Sequence, residues 1–389
     1  MNITSKTRKN EFRRSNQDFE NQRRSKIMKR KSLKLISFLS ALLLLSTAFI
    51  GCARNNDGAD VHVFYYTYSD PYISTVRSAL DAELDDAGIS YQDHDSNNSQ
   101  TTQTEQIQTA ITKGAKMIVV NIVTTGSDDA ASGIVSLAKD ADIPVIFFNR
   151  EVSDSIVNSY DKCAFVGTDA AEAGYLQGDM IGDYVVKNYD AIDLNKDGKI
   201  SYVMFMGEKG NNEAMYRTQY SVENANKKLT AAGKPVLEFY DKANTDKYLL
   251  DREGKWSAQA ANDHMTTILS SHSQANKNMV ELVICNNDGM AEGALSALNS
   301  AGYNTGGSGS VTIPVFGVDA TSAAKELIAA GKMAGTIKQD AEGMAKALVK
   351  TVSNGLDGKE LTSDMDDYTI DEKVDKIRVH YAVYLGDEK

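Results

Sequence analysis

The chain has 389 residues, 42% hydrophobic and 24% charged, which suits two soluble domains better than one. After residue 52 it carries 30 Lys/Arg against 50 Asp/Glu, a net charge of −20. Such an acidic body repels phosphate backbones, which excludes nucleic-acid binding. With five histidines and no clustered cysteines, a zinc site is not expected. Cys163 and Cys285 stand in apolar, strand-like runs, which predicts two buried thiols rather than a disulfide framework.

Residues 1–52 have the pattern of an export signal. A basic segment at 29–34 precedes an uncharged run, 35–51, which ends at Cys52. This order is typical of a signal peptide, and the run is shorter than the roughly 20 residues of a spanning helix. The order Phe-Ile-Gly-Cys at 49–52 resembles a lipoprotein signal, which would make Cys52 the lipidated residue at the extracytoplasmic face of the membrane. An uncleaved anchor helix is the alternative. Met28 is the predicted true start, and residues 53–60 form a polar tether.

From residue 61 onward, strand-like and helix-like segments alternate in two series. The first series has predicted strands at 61–66, 89–94, 117–122 and 144–148, and helices at 73–87 and 103–113. The second has strands at 164–166, 202–206, 236–240, 282–285 and 315–318, and helices at 170–187, 213–232, 258–270, 290–301 and 323–330. Such alternation predicts an α/β fold of two Rossmann-like, doubly wound lobes with a ligand between the strand ends.

The segment 193–201 (DLNKDGKIS) has the pattern of a calcium loop. Oxygen-bearing side chains stand at positions one, three and five, namely Asp193, Asn195 and Asp197, and glycine at position six permits the sharp turn. Lys199 would donate its backbone carbonyl, and Ser201 its hydroxyl or a water. Position twelve is Met204 instead of a bidentate glutamate, which excludes a complete EF-hand. A solvated Asp/Asn/Gly turn is the alternative.

Several short motifs in order resemble one family. They are 145–149 (VIFFN), 166–169 (VGTD), 193–198 (DLNKDG), 286–288 (NND) and 313–319 (IPVFGVD). Together with the calcium loop and the export signal, they resemble the type I periplasmic binding proteins of ABC importers, and among these the galactose- and glucose-binding members. The resemblance spans about residues 61–385. It implies an exported hexose-binding protein, expected to be a monomer, that closes around its sugar and delivers it to a membrane permease.

The resemblance also implies a sixth calcium ligand and a hinge. Glu281, ahead of the NND motif, matches the glutamate that completes the family's structural Ca²⁺ site. The family's three-segment hinge falls near 149–151, 339–341 and 371–374. One lobe would then comprise 61–148 and 342–369, and the other 152–338 and 375–389.

The sugar site follows from the resemblance, residue by residue. Sugar hydroxyls are bound by planar polar side chains, and sugar faces by aromatic rings. Asp70 matches the family's hexose-reading aspartate, and Tyr72 and Trp256 match its two stacking aromatics. Further hydrogen-bonding positions are matched by Asn121, Arg217, Asn287 and Asp319.

Three positions depart from the family pattern and leave the preferred sugar open. They are Asn211, Glu213 and Gln339, where the family has His, Asp and Asn; Ser201 likewise replaces a usual Gln.

Other function classes fit less well. A glycosidase needs an identifiable pair of carboxyls with different pKa values, and no such pair, nor a nucleophile motif, is recognisable. We therefore expect no catalysis. A sugar-responsive repressor would need an N-terminal helix-turn-helix. A binding protein read by a chemoreceptor or sensor kinase, or specific for a different monosaccharide, remains the alternative.

Overall fold

A computed structural model describes residues 58–307 and 309–386. The predicted signal peptide (1–52), its alternative start at Met28, the lipidation site Cys52 and most of the tether lie outside these residues. Within them the chain forms two α/β lobes, which together make one compact unit. The predicted fold class is confirmed.

The first lobe holds these elements: β1 (Val61–Tyr65), α1 (Pro71–Asp86), β2 (Tyr91–Asp95), α2 (Gln100–Thr112), β3 (Met117–Val120), α3 (Asp129–Asp140), β4 (Val145–Phe148), α4 (Asp154–Val157), β5 (Cys163–Gly167), and, from the end of the chain, α10 (Ala341–Leu356), β12 (Thr369–Ile370) and β13 (Lys376–Arg378). Its sheet has the order β12-β13-β5-β4-β3-β1-β2. Every neighbouring pair is parallel except β12 with β13.

The second lobe holds these elements: α5 (Ala170–Ile192), β6 (Ser201–Met206), α6 (Asn212–Ala231), β7 (Glu238–Phe239), β8 (Leu249–Leu250), α7 (Ala258–Leu269), β9 (Leu282–Cys285), α8 (Asp288–Ser300), β10 (Val315–Asp319), α9 (Ser322–Ala329), β11 (Gly335–Lys338) and β14 (Ala382–Tyr384). Its sheet has the order β14-β11-β10-β9-β6-β7, with β8 also paired to β6. Only β14 runs antiparallel to its neighbour.

Both faces of the first sheet are buried. Alternate residues of β1 enter different clusters: Val63 packs with α1 and α10, whereas Phe64 packs with α2 and α3. This two-sided burial explains why strands such as VIFF are apolar throughout. Cys163 and Cys285 lie buried on β5 and β9 as free thiols, as predicted.

Helix α6, which carries several candidate ligands, is fixed by close packing on α5. Gly174 and Gly178 stand one turn apart on α5 and face α6. A Cβ atom at Gly174 would come within 2.5 Å of the Tyr216 carbonyl oxygen, and one at Gly178 within 2.6 Å of the Asn224 Cβ. Glycine at these positions therefore lets α6 lie directly on α5, because no side chain separates the backbones.

The chain crosses between the lobes three times, but two of the predicted crossings are wrong. β5 pairs with β4, so the first crossing follows Gly167 instead of lying at 149–151. β13 pairs with β5 and β14 with β11, so the third crossing is at 379–381 instead of 371–374. Residues 152–167 and 375–378 thus belong to the first lobe, because backbone pairing, which sequence motifs do not reveal, assigns them there. The second crossing, at 339–341, agrees with the prediction.

No helix in residues 58–307 and 309–386 is long and apolar enough to cross a membrane.

Candidate functional site

A cavity of about 40 Å³ lies between the lobes at the carboxyl ends of the strands. Its lining comes from both lobes and one crossing: Tyr66, Asp70, Tyr72, Ile73, Asn149, Arg150, Asn211, Glu213, Arg217, Trp256, Asn287, Asp319 and Gln339. The enclosed space is small, which favours a single small ligand over a chain of sugars. Nine of the ten residues predicted from the resemblance lie in this lining.

Asn121 is the predicted ligand that the structure places elsewhere. Its amide nitrogen donates to the Phe148 carbonyl oxygen (3.1 Å) and to Asn149 Oδ1 (3.2 Å), and its Oδ1 accepts from the Tyr66 amide (3.3 Å). The side chain is fully buried behind the pocket. It therefore supports two residues of the lining, Tyr66 and Asn149, instead of reaching the cavity.

The first lobe places Asp70 through a helix cap. Asp70 is the N-cap of α1, and its Oδ1 accepts from the Ile73 amide at 2.9 Å. The Tyr66 hydroxyl donates to the other carboxylate oxygen at 2.6 Å. The Arg150 guanidinium stacks 4.3 Å from the centre of the Tyr66 ring. Tyr66, Asn149 and Arg150 were missed by the sequence prediction, although Asn149 ends the VIFFN motif and Arg150 follows it.

The second lobe presents side chains from helix starts. Asn211 and Asn287 cap α6 and α8, accepting from the Ala214 amide (3.0 Å) and the Met290 amide (2.9 Å). Glu213 and Arg217 follow on α6, four residues apart and therefore on one face. Caps of this kind orient a polar side chain at the end of a strand and leave its other donors and acceptors available to a ligand.

Three residues of the lining have a positive φ, in the region that disfavours side chains. The φ is 61° for Asn149, 56° for Trp256 and 123° for Asp319. The Trp256 ring covers Gly207 so closely that a Cβ there would lie 2.2 Å from it. Strain of this kind clusters at ligand sites, where the surrounding structure holds a side chain in a set direction.

Buried charge dominates the pocket. Burial raises the pKa of Glu213 to about 7, with a further contribution from Glu151, while Arg217 lowers it. Burial also raises the pKa of Asp319 well above its usual range, against the opposing charge of Arg217. Four buried polar atoms of the lining have no hydrogen-bond partner within the protein: Arg150 Nε, Glu213 Oε1, Arg217 Nε and Gln339 Nε2. Because such atoms are costly when unpaired, the lining matches a ligand rich in donors and acceptors.

The lobes contact each other beside the cavity through Glu208, two of whose partners line the cavity. Its carboxylate pairs with Arg150 of the first lobe, accepts from Thr125 Oγ1 at 3.1 Å and accepts from the Trp256 indole at 3.3 Å. The structure is thus a closed arrangement. Glu208 was missed by the sequence prediction, because its partners lie on the other lobe and at the far side of the pocket.

The predicted calcium loop meets Glu281 as expected. Glu281 Oε1 accepts from the Asn195 amide (2.8 Å), and Oε2 accepts from the Ser201 amide (2.9 Å) and hydroxyl (3.1 Å). The Asp193 carboxylate accepts from the Asp197 amide (3.2 Å) and the Gly198 amide (3.1 Å). Burial raises the pKa of Glu281, and the nearby Asp193 charge adds to this.

The donor set of the loop suits a hard cation. In the described part of the chain, no group of three or more Asp, Glu, His or Cys side chains is arranged, as it stands, to hold an ion. An ion here would therefore need three further oxygen ligands beside the carboxylates: the side-chain oxygen of Asn195, the Ser201 hydroxyl and the backbone carbonyl of Lys199. Calcium accepts such a mixture of oxygen ligands, and zinc does not.

Comparison with known proteins places the chain in a family. Residues 61–360 match the family described as the periplasmic binding protein domain. The D-galactose/methyl-galactoside binding periplasmic protein MglB of Haemophilus influenzae is 36% identical over 333 residues, covering 85% of this chain and 91% of that protein. The ribose import binding protein RbsB of Escherichia coli is 24% identical over 341 residues, covering 88% and 97%.

Solved structures share the fold. An ABC transporter solute binding protein from Clostridium phytofermentans with bound β-D-glucose superimposes with a TM-score of 0.65 at 21% identity, covering 83% of this chain and 93% of that one. Caulobacter myo-inositol binding protein gives a TM-score of 0.61 at 22% identity, covering 85% and 94%. The two-lobed fold, the cleft between the lobes and the match over most of its length show that this chain belongs to the periplasmic binding protein family.

Proposed function

We propose that this chain is the extracytoplasmic solute-binding component of an ABC importer and that its ligand is a hexose, galactose or glucose. Its role is to bind and release the sugar without catalysis. The family membership and the similarity to a galactose-binding relative support this proposal. We further propose that the monomeric closed form docks on a permease; a chemoreceptor is the alternative partner.

One observation carries the proposal: the cavity combines aromatic rings with charged hydrogen-bonding groups and leaves four of their buried atoms unpaired. A pyranose has weakly apolar faces and a ring of hydroxyls that both donate and accept. Tyr72 and Trp256 would contact the faces, while Asp70, Arg217 and Asp319 would bind the hydroxyls through charge-assisted hydrogen bonds.

Binding of this kind is coupled to closure of the lobes. The lining comes from both lobes, so a ligand gains all its contacts only when they approach each other. A ligand that contacts both lobes therefore shifts the open–closed equilibrium toward the closed form. The Glu208–Arg150 pair stabilises the same form directly.

Calorimetry tests the proposal. The chain from Ala53 to Lys389 is stripped of ligand by partial unfolding, refolded, and titrated with galactose, glucose, ribose and myo-inositol. Saturable binding of galactose or glucose, with weaker binding of the other two, is the expected result. Binding of ribose or myo-inositol alone would replace the hexose assignment, and no binding of any of them would remove it.

We also propose that Ca²⁺ binds the loop 193–201. Its ligands would be Asp193, Asn195, Asp197, Lys199, Ser201 and Glu281, and the ion would join this loop to the start of β9. Two observations support the fit: Glu281 already contacts both ends of the loop, and no cationic side chain of the described residues forms an ion pair with Asp193, Asp197 or Glu281. Bound calcium would supply the missing positive charge and stabilise the fold.

The export signal supports a last proposal, that Cys52 is lipidated and holds the protein at the membrane surface. Mass spectrometry of the native N-terminus tests it. A diacylglyceryl-modified Cys52 is expected, whereas an unmodified N-terminus elsewhere would contradict the anchor.

A further inference from the structure

Three polar side chains mark the three crossings between the lobes. Thr168 follows β5 at the first crossing, Gln339 follows β11 at the second, and Tyr381 precedes β14 at the third. All three side chains are buried. Buried polar side chains are unusual at a hinge, because each must keep a hydrogen bond while the backbone around it rotates.

One pocket residue reaches these crossings. Arg217 Nη2 donates to Gln339 Oε1 (3.2 Å) and to the Tyr381 hydroxyl (2.8 Å), and Nη1 donates to the Asn286 carbonyl oxygen (2.9 Å). Of the two N–H donors that are left, Nε has no partner in the protein, and Arg217 is part of the cavity lining. The guanidinium is therefore held on one side by hinge residues and offers its free side to the ligand.

Tyr381 extends this contact to the first crossing. Its hydroxyl accepts from Thr168 Oγ1 at 2.8 Å as well as from Arg217. The Arg217 guanidinium also lies 5.7 Å from the centre of the Tyr381 ring. Neither Tyr381 nor Thr168 lines the cavity. Arg217 is thus connected to all three crossings, to the first through Tyr381.

We propose that Tyr381 is a positioning residue that couples the orientation of Arg217 to the hinge angle. Rotation of the lobes moves Thr168 and Gln339, which lie on the crossings themselves, relative to α6. The bonds from Arg217 through Tyr381 to Thr168 form together only in the closed arrangement, so they favour closure and aim the guanidinium at the ligand. Only contacts that differ between two states can shift their equilibrium. The inference rests on the proposed sugar-binding function of the pocket.

The test uses two conservative variants outside the pocket. Tyr381→Phe keeps the ring over Arg217 and removes the shared hydroxyl; Thr168→Val is isosteric and removes its partner. Hexose affinity should fall about tenfold in Tyr381→Phe, since a bond to a charged group is lost, and by a smaller factor in Thr168→Val. The double variant should bind no more weakly than Tyr381→Phe alone, because both changes remove one connection. The matched control Tyr160→Phe loses a hydroxyl bond to Ile143 inside the first lobe and should bind as wild type.

A second readout needs no ligand. Spin labels on exposed Glu105 of the first lobe and Thr230 of the second report the distance between the lobes. Without sugar, Tyr381→Phe and Thr168→Val should shift this distance distribution to longer values, and Tyr160→Phe should not. Distances and affinities equal to those of wild type would overturn the inference. If the wild type binds none of the sugars, the proposed function fails, while the ligand-free distances still decide the role of Tyr381.

Discussion

The two lobes accommodate their partly buried carboxylates in different ways. In the first lobe, Asp81 on α1 and Asp93 on β2 share a hydrogen bond beside Arg77. Burial and the Asp81 charge raise the pKa of Asp93 to about 8. In the second lobe, Glu281 and Asp193 accept instead from backbone amides of the loop 193–201.

If the proposed Ca²⁺ binds the loop, a proton in the first lobe and a cation in the second would serve the same purpose. One proton shared by Asp81 and Asp93, together with Arg77, leaves the first-lobe cluster neutral. Tyr65 is buried beside this cluster, and burial raises the pKa of its hydroxyl well above the usual value. Tyr65 therefore stays neutral and adds no charge. The second-lobe loop has no arginine or lysine paired to its carboxylates among the described residues, and the proposed Ca²⁺ would supply the positive charge there. The first lobe should therefore respond to pH, and the second to metal.

A change at the pocket carboxylate Asp70 tests whether charge at this position is needed for sugar binding. Asp70→Asn keeps the helix cap of α1, since asparagine caps as well as aspartate, but removes the charge. Hexose affinity should fall on the order of 100-fold, because the hydrogen bonds of Asp70 to the sugar would no longer be charge-assisted. Calorimetry measures this, and Asp169→Asn, a matched cap of α5 outside the pocket, should bind as wild type. Unchanged affinity in Asp70→Asn would remove Asp70 from the site.

Calcium removal tests the second lobe. A chelator should destabilise the wild type by about 3 kcal/mol relative to saturating Ca²⁺, since the ion binds only the folded state. Thermal unfolding with and without chelator measures the difference. Glu281→Gln should lose most of this response, whereas Asp93→Asn in the first lobe should keep it. A wild type whose melting temperature ignores both calcium and chelator would contradict the metal site.

Asp93→Asn tests the first lobe through pH. Because the pKa of Asp93 is raised to about 8 in the folded protein, the folded state holds a proton that the unfolded chain releases near pH 4. This group therefore lowers the free energy of unfolding as pH rises from about 4 to about 8, by at most about 1.4 kcal/mol per pH unit. Urea unfolding between pH 5 and 9 should show a flatter profile for Asp93→Asn than for wild type. The exposed control Asp86→Asn should keep the wild-type slope; equal slopes in all three would refute the shared proton.

Glu208 joins the two lobes, since its carboxylate belongs to the second and its cationic partner Arg150 to the first. Glu208→Gln should weaken hexose affinity by about fivefold, because the closed form loses a partly buried ion pair. Titration at low and high salt measures the change, and the salt dependence of affinity should decrease in the variant. Affinity and salt dependence like those of wild type would show that the pair does not stabilise closure.

Local sequence patterns predicted much of this molecule. Strands such as 282–285 and helices such as 258–270 follow from apolar periodicity, because burial on one or both faces dictates it. Asp70 and Asn287 were predicted from the family resemblance, and the structure places each at the N-cap of a helix.

Contacts between distant segments could not be predicted in this way. Asn121 and Asn149 both follow buried strands, and only the positive φ of Asn149 (61°) distinguishes the residue that reaches the pocket. The pairing of β13 with β5 joins segments more than 200 residues apart, so the lobe boundaries were misplaced. Glu208 and the Asp81–Asp93 pair depend on packing between elements, which no single-sequence motif records.

The central claim is that a monosaccharide binds between the lobes and closes them. Trp256, the only tryptophan in the chain, lies in the cavity lining and donates to Glu208, so its fluorescence reports both events. Titration of the refolded protein with galactose and glucose should give a saturable change at micromolar sugar, and Asp70→Asn should shift it to much higher concentration. Fluorescence that stays constant while calorimetry detects bound sugar would place the ligand outside this cleft and contradict the account.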